Sequence, residues 1–144
     1  MTLHIIKLCV GAESIEDLAR WQAGRLREQK KRRVRKPELM HVTRMMPKRK
    51  DEVLDGGSLY WVIKGQIAVR QRILELRPVI KNAKPHCGIV YDHKLVPLQR
   101  RAHRAFQGWR YLLPKDAPAD ARGAKGLHTL PEELQKELVE LGLL

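Results

Sequence analysis

The chain has 144 residues, 43% of them hydrophobic, and its 29 Lys and Arg against 16 Asp and Glu give a net charge of +13. This length and apolar content suit one globular domain, which we expect to span residues 1–144. No apolar run reaches the roughly 20 residues that a membrane-spanning helix needs, and two cysteines, Cys9 and Cys87, are too few for a disulfide framework. We therefore expect a cytoplasmic protein that does not bind membranes.

The N-terminal third predicts a strand followed by a helix. Residues 4–10 are apolar and rich in β-branched side chains, which is typical of a buried strand. Ser14, with acidic residues in the next turn, is a helix N-cap. An amphipathic stripe then continues to about Arg33, and the helix must end before Pro37.

The middle of the chain predicts a hairpin. Residues 39–46 form a strand candidate and residues 48–54 two helical turns. Residues 58–64 alternate as a strand does. A tight turn at Gly65-Gln66 then makes residues 67–76 the returning strand, although the spacing of their apolar side chains also fits a helix.

The C-terminal part predicts two short strands, an exposed loop and a helix. Residues 88–91 and 106–113 are the strands, and residues 114–128 the exposed or flexible loop. A capping box at residues 129–132 starts the terminal helix, whose leucines dock on the chain's own core or form a homodimer. The sum is an α+β fold with a curled, mainly antiparallel sheet or small pseudo-barrel, flanked by an N-terminal and a C-terminal helix.

The positive charge is concentrated in one segment. Residues 25–50 carry twelve Lys and Arg and two Glu, a net charge of +10, and residues 27–38 within them are expected to be exposed or flexible. Such clustering is the electrostatic footprint of a protein that binds a polyanion. A solvated helix end is the plain alternative. A membrane surface is disfavoured because Val34 is the one large apolar side chain between residues 27 and 38.

Four segments carry a family resemblance. They are DGGSLYWVIKG at residues 55–65, RQRI at 70–73, FQGWRYL at 106–112 and HVTR at 41–44. Together they resemble a bacterial conserved-hypothetical family, one of the domains of unknown function, over nearly the whole chain. The resemblance implies membership of that family, and it implies no particular reaction.

A weaker resemblance concerns the fold. The segment YWVIKG at residues 60–65, followed by Arg70 and Arg72, is similar to an arrangement in PUA and ASCH domains, which are small RNA-binding pseudo-barrels. That resemblance implies RNA as the ligand, although fold alone does not fix function.

Aromatic side chains beside cations form the candidate binding site. Tyr60, Trp109 and Tyr111 lie on two predicted strands, where they would stack unpaired bases while cations hold phosphates. Trp61, between two aliphatic residues, is expected in the core. The predicted nucleic-acid-binding residues are Lys30, Lys31, Arg32, Arg33, Arg35, Lys36, Arg44, Lys48, Arg49, Tyr60, Lys64, Arg70, Arg72, Trp109, Arg110 and Tyr111.

Three other functions stay open at this point. The glycine turn at residues 55–58, with the arginines of 70–72, could bind an anion in an enzyme acting on a nucleic acid or a phosphorylated small molecule. His86-Cys87 near His93 is the one cluster with catalytic or metal-binding residue types, without the usual spacing of a zinc site. A ribosome- or assembly-associated structural factor would share the basic surface. We expect a non-catalytic RNA-binding module without metal or cofactor.

Overall fold

A computed structural model describes residues 1–121. They form a seven-stranded, curled and open sheet with two helices. The strands are β1 His4–Leu8, β2 Leu39–Thr43, β3 Ser58–Ile63, β4 Gln66–Lys81, β5 Lys84–Tyr91, β6 Val96–Ala102 and β7 Trp109–Leu112; the helices are α1 Ile15–Lys31 and α2 Lys50–Leu54, and Pro114–Asp116 is a 3-10 turn.

The sheet is mixed, with strand order β2-β5-β4-β3-β1-β7 and β6 also paired to β4. The pairing of β1 with β3 is parallel, and the other pairings are antiparallel. The predicted α+β class and the curled sheet are confirmed. The predicted terminal helix and its dimer contact lie outside the described residues, as does the end of the loop predicted at 114–128.

The sheet curls along the long strand β4, whose two parts pair with different neighbours. Its first part pairs with β3 and β6, and its second part pairs with β5. The register shifts between Ile73 and Glu75, and residues 92–95 interrupt the return path between β5 and β6. Irregularities of this kind bend a strand and increase its twist. The strand interpretation of residues 67–76 is confirmed, and β4 runs five residues further.

Two hairpin turns use left-handed backbone. Lys64 and Gly65 have φ of 48° and 73°, so the β3–β4 turn lies one residue before the predicted Gly65-Gln66. At the β4–β5 turn, Asn82 and Ala83 have φ of 53° and 61°. Two consecutive positive φ angles are the signature of the hairpin turn whose twist matches that of the strands.

Helix α1 begins as predicted. The Ser14 hydroxyl accepts a hydrogen bond from the Asp17 amide at 3.1 Å, which caps the first turn. The helix ends at Lys31, and Arg33 adopts a φ of 60° just beyond it. A left-handed residue at this position is a common helix terminator.

A buried amide pair connects α1 to the sheet. The side chains of Gln22 on α1 and Gln71 on β4 exchange two hydrogen bonds of 2.8 Å, and both residues are fully buried. The Gln71 oxygen also accepts from the Trp61 indole at 2.9 Å, and its nitrogen also donates to the Asp92 carbonyl at 3.0 Å. Gln71 therefore uses its full hydrogen-bonding capacity inside the core.

The two faces of the sheet carry two apolar clusters. One face packs against α1 and includes Trp61 and Tyr91. The opposite face buries Tyr60 and Val62, which are covered in part by Leu98. Strand β3 is therefore buried on both faces, along its whole length.

We expect Gln71→Leu to destabilise the protein by at least about 2 kcal/mol, because it strands the Gln22 amide, the Trp61 indole N–H and the Asp92 carbonyl inside the core. Urea unfolding monitored by circular dichroism measures the change. The double variant with Gln22→Leu should lose less than the sum of the two single losses. The exposed Gln99→Leu is the matched control and should stay within about 0.5 kcal/mol of wild type. Equal stability of the Gln71 variant and wild type would contradict the network.

Two glycines should respond to alanine with opposite signs. At Gly57 an added Cβ would lie 2.3 Å from the carbonyl oxygens of Leu3 and Val53, so Gly57→Ala must move backbone. At Gly24, inside α1, the nearest atom is an arginine nitrogen at 3.9 Å. We expect a loss of about 1–3 kcal/mol for Gly57→Ala and a gain of about 0.5–1 kcal/mol for Gly24→Ala. Thermal unfolding of both variants measures these changes; a Gly57→Ala variant as stable as wild type would contradict the close approach of Gly57 to the carbonyls of Leu3 and Val53.

Candidate nucleic-acid interface

A basic groove lies where residues of β1, the end of β2 and the start of β7 meet the tip of the β4–β5 hairpin. Its volume is about 750 Å³, and no Asp or Glu of residues 1–121 lines it. Four basic side chains, those of Lys7, Arg44, Lys81 and His86, line the groove together with the indole of Trp109. We call this site the basic groove; its lining residues are Lys7, Val42, Thr43, Arg44, Met45, Lys81, Asn82, His86, Gln107, Gly108 and Trp109.

Strand register places a lysine between two tryptophans. Lys7 on β1 is opposite Trp61 on β3 and opposite Trp109 on β7. Neighbouring strands are about 4.8 Å apart, so the three side chains form one row across the sheet. Trp61 is buried in the α1-side cluster and Trp109 packs against it. Burial lowers the pKa of Lys7 from its ordinary value, and the row presents a desolvated cation beside aromatic rings.

Contacts to β7 hold the segment that carries Arg44. The Trp109 indole N–H donates to the Met45 carbonyl at 2.9 Å. The Arg49 amide donates to the Tyr111 hydroxyl at 3.1 Å, and the Arg49 guanidinium lies 5.7 Å from the centre of the Tyr111 ring. These contacts connect residues 44–49 to the edge strand and orient Trp109.

The tip of the β4–β5 hairpin supplies the other side of the groove. Lys81 ends β4, and the turn at Asn82-Ala83 returns the chain to Lys84, its partner in the register. His86 follows on β5, where its Nδ1 lies 2.9 Å from the Lys84 carbonyl oxygen. The tight turn thereby brings cations from both strands of the hairpin close together.

His41 lies beside the groove, where nearby positive charges affect its protonation. Its ring packs edge-to-face on Trp61 with 5.8 Å between ring centres. Burial, together with the positive charges of Lys7 and Lys81, lowers the pKa of His41 to about 4. The imidazole is therefore neutral at pH 7, and it can donate one hydrogen bond and accept one.

Two of the predicted binding residues line the basic groove. They are Arg44 and Trp109. Lys7, Lys81 and His86 were missed, because single cations inside strand patterns carry no local signal until pairing brings them together. Lys7 is the partial exception, since a charged residue interrupts an otherwise apolar strand at that position.

The basic run, residues 30–36, lies elsewhere. Its six cations are all exposed, and Arg32 pairs with Glu28 at 3.1 Å. The Gln29 side chain pairs with the backbone of Glu38 and so holds the segment at the start of β2. The groove lies at the other end of β2, roughly 20 Å away at the rise of an extended chain. The six residues are Lys30, Lys31, Arg32, Arg33, Arg35 and Lys36.

The remaining predicted cations on the surface have varied environments. Lys64 lies 3.6 Å from a Glu13 oxygen, and Arg110 lies over the Phe106 ring at 4.8 Å. Three further residues are exposed: Lys48, Arg49, which pairs with Glu52, and Arg72. None of these five lines the basic groove.

One predicted contact needs correction, and two others have less free surface than the sequence pattern indicates. Tyr60 is 4% exposed and cannot stack a base, because the face of β3 that alternation marks as polar is covered by a second apolar cluster. Tyr111 is half-buried, and the Arg49 guanidinium lies 5.7 Å from the centre of its ring. Arg70 is half-buried and makes two bonds of 2.8 Å to the Asp120 carboxylate, so its charge is neutralised.

The glycine turn before β3 has little donor capacity left for an anion. The amides of Asp55, Gly57 and Ser58 donate to the Glu52 carbonyl, the Val53 carbonyl and His4 Nδ1, respectively. The Ser58 hydroxyl accepts from Arg70 at 3.0 Å. The turn therefore serves to join α2, β1 and β3.

The other candidate cluster is dispersed. Cys87 is fully buried, and burial raises its pKa, so its thiol is protonated. Within residues 1–121 no group of three His, Cys, Asp or Glu side chains is arranged to hold a metal ion. In that same part of the chain, neither helix is both long and apolar enough to cross a membrane.

His41 should make stability depend on pH. Because its folded-state pKa of about 4 is below the ordinary 6.5, its contribution is complete above about pH 6.5 and is lost as pH falls towards 4. We therefore expect wild type to lose more stability between pH 7 and pH 4.5 than His41→Gln, measured by urea unfolding at both pH values. Equal losses, or an NMR titration of His41 near pH 6.5, would contradict the half-buried position of His41 near Lys7 and Lys81.

Comparison with known proteins finds one family. The family model described as "Protein of unknown function (DUF1489)" matches residues 5–144. No curated protein and no solved structure matches the chain.

Proposed function

The chain belongs to the DUF1489 family, and we propose that it is a nucleic-acid-binding module that holds single-stranded RNA in the basic groove. The observation that carries the proposal is the row of Lys7 and Trp109 in a groove with three further basic side chains and no carboxylate from the described residues. The groove thus combines phosphate-binding charge with an aromatic ring.

Charge supports a polyanion as the ligand. Lys7 is half-buried beside aromatic rings, and close to it Arg44 and Lys81 project into the same space. Unneutralised cations held together repel one another, and each phosphate that enters relieves this repulsion and releases counterions. A single small anion would leave most of the groove charge unmatched.

The aromatic ring supports a single strand over a duplex. The Trp109 indole is fixed by its hydrogen bond to Met45, so little rotamer entropy is lost when a base stacks on it. Bases inside a duplex already stack on each other, whereas unpaired bases offer a free face. The choice of RNA over DNA rests on the sequence similarity of residues 60–65 to an arrangement in PUA and ASCH domains, and on no contact of the structure. Two free thiols, Cys9 and Cys87, fit the cytoplasm as the compartment.

The basic run extends the proposal beyond the groove. Its six exposed cations lie roughly 20 Å from Arg44, within the reach of a strand of several nucleotides. We assign it a sequence-independent contribution to affinity, dominated by phosphate contacts.

Neutralising the groove should weaken RNA binding. We expect Lys7→Gln, Arg44→Gln and Lys81→Gln combined to lower affinity for a single-stranded RNA of ten nucleotides at least tenfold, and to reduce the slope of log K against log salt by about 2. Fluorescence anisotropy at several salt concentrations measures both quantities.

The matched control removes the same charge elsewhere. Lys94→Gln, Arg100→Gln and Lys115→Gln change three exposed cations outside the groove and should cost much less affinity. Equal losses in the two triple variants would contradict a defined site. Absence of RNA binding by the wild-type protein at low salt would refute the proposed function.

A further inference from the structure

A second, smaller cavity opens beside the basic groove. Its volume is about 250 Å³, below the roughly 300–1,000 Å³ of pockets for drug-sized ligands. Apolar and aromatic side chains from β1, from the loop between β1 and α1, from α1 and from β3 form most of its wall. We call this cavity the side recess; its lining residues are Lys7, Leu8, Cys9, Val10, Gly11, Ala12, Asp17, Leu18, Trp21, His41 and Trp61.

Lys7 joins the two cavities, because it lines both of them. Its neighbours in the sheet divide between them: Trp109 lines the groove and Trp61 lines the recess. Trp21 on α1, whose surface is 50% exposed, is a second indole in the recess wall. A ligand with phosphates in the groove would therefore have an apolar, aromatic cavity next to one of its phosphate contacts.

Apart from Lys7, which it shares with the basic groove, the recess carries polar groups that suit an uncharged ligand better than a phosphate. Asp17 is the one carboxylate among the described lining residues; its Oδ2 accepts from the Glu13 amide at 3.1 Å, and its Oδ1 lies 3.5 Å from a guanidinium nitrogen of Arg20. A carboxylate repels a second anion but accepts hydrogen bonds from amino and imino groups. His41, which is neutral, adds one donor and one acceptor. A flat, uncharged ring with a polar edge can form hydrogen bonds with these groups, whereas an aliphatic chain forms none.

We propose that the side recess takes one unpaired nucleobase of the strand whose phosphates lie in the basic groove. This inference rests on the proposed function and adds to it a base-binding subsite. One base would stack on Trp109 and another would insert beside Trp61; these two positions lie in the same row, on either side of Lys7.

The test separates base binding from phosphate binding. The two ligands are a single-stranded RNA of ten nucleotides and an abasic ribose-phosphate strand of the same length and charge. Ala12→Phe fills the recess from the loop before α1, and Ala119→Phe adds the same ring to an exposed position outside both cavities. We expect Ala12→Phe to weaken RNA binding about tenfold and to leave abasic-strand binding unchanged, while Ala119→Phe changes neither.

A second measurement uses the wild-type protein. Cys9 lines the recess and is partly accessible, whereas Cys87 is fully buried. Burial raises the pKa of Cys9 to about 11, so alkylation is followed at mildly alkaline pH. RNA should slow alkylation of Cys9, identified by peptide mass spectrometry, several-fold more than the abasic strand does.

The outcomes distinguish this inference from the proposed function. If wild type binds RNA and the abasic strand equally, and both protect Cys9 equally, the base subsite is refuted while phosphate binding in the groove stands. If neither strand binds, both proposals fail. Equal RNA affinity of Ala12→Phe and wild type would also overturn the base subsite.

Discussion

The arrangement of this protein depends on one buried polar contact. Gln71 makes four hydrogen bonds inside the core, to α1, to β3 and to the loop after β5. A buried amide with unmade hydrogen bonds costs about 1–3 kcal/mol, so α1 has one favourable position on the sheet. That position places Trp21 of α1 in the wall of the side recess, together with Trp61 of β3.

The basic groove brings several positive charges close together, which is electrostatically unfavourable. Lys7 is desolvated beside cations from two other segments, and the neighbouring His41 is kept neutral. Such an arrangement lowers stability unless an anion binds. The cation Arg70, in contrast, is neutralised by Asp120 within the fold. Arg70 therefore contributes to the fold through its ion pair, whereas the cations of the groove are available to a ligand.

Local sequence signals predicted much of the fold. Ser14 capped the helix as expected, and the β3–β4 hairpin and the α+β class are confirmed. Strand β6 was missed because its segment VPLQRRA contains proline and two adjacent arginines. The turn at Asn82-Ala83 was missed because alanine seldom adopts the positive φ it has there.

The site was predicted less well, because the sequence shows neither which strands pair nor which face of a strand is covered by another layer. Alternation correctly divides β3 into two faces, but it cannot show that the Tyr60 face is covered by another layer. Lys7, Lys81 and Trp109 are far apart along the chain, and only the sheet order brings them to one groove. The charge count found the basic run, which is local, and missed the groove, which is not.

Photochemical cross-linking tests the central claim most directly. Single-stranded RNA is bound to the wild-type protein at low salt and irradiated, and the adducts are located by peptide mass spectrometry. We expect adducts on peptides that contain Lys7 or Trp109, with further adducts on residues 30–36. Adducts confined to residues 30–36, with none at the groove, would contradict it.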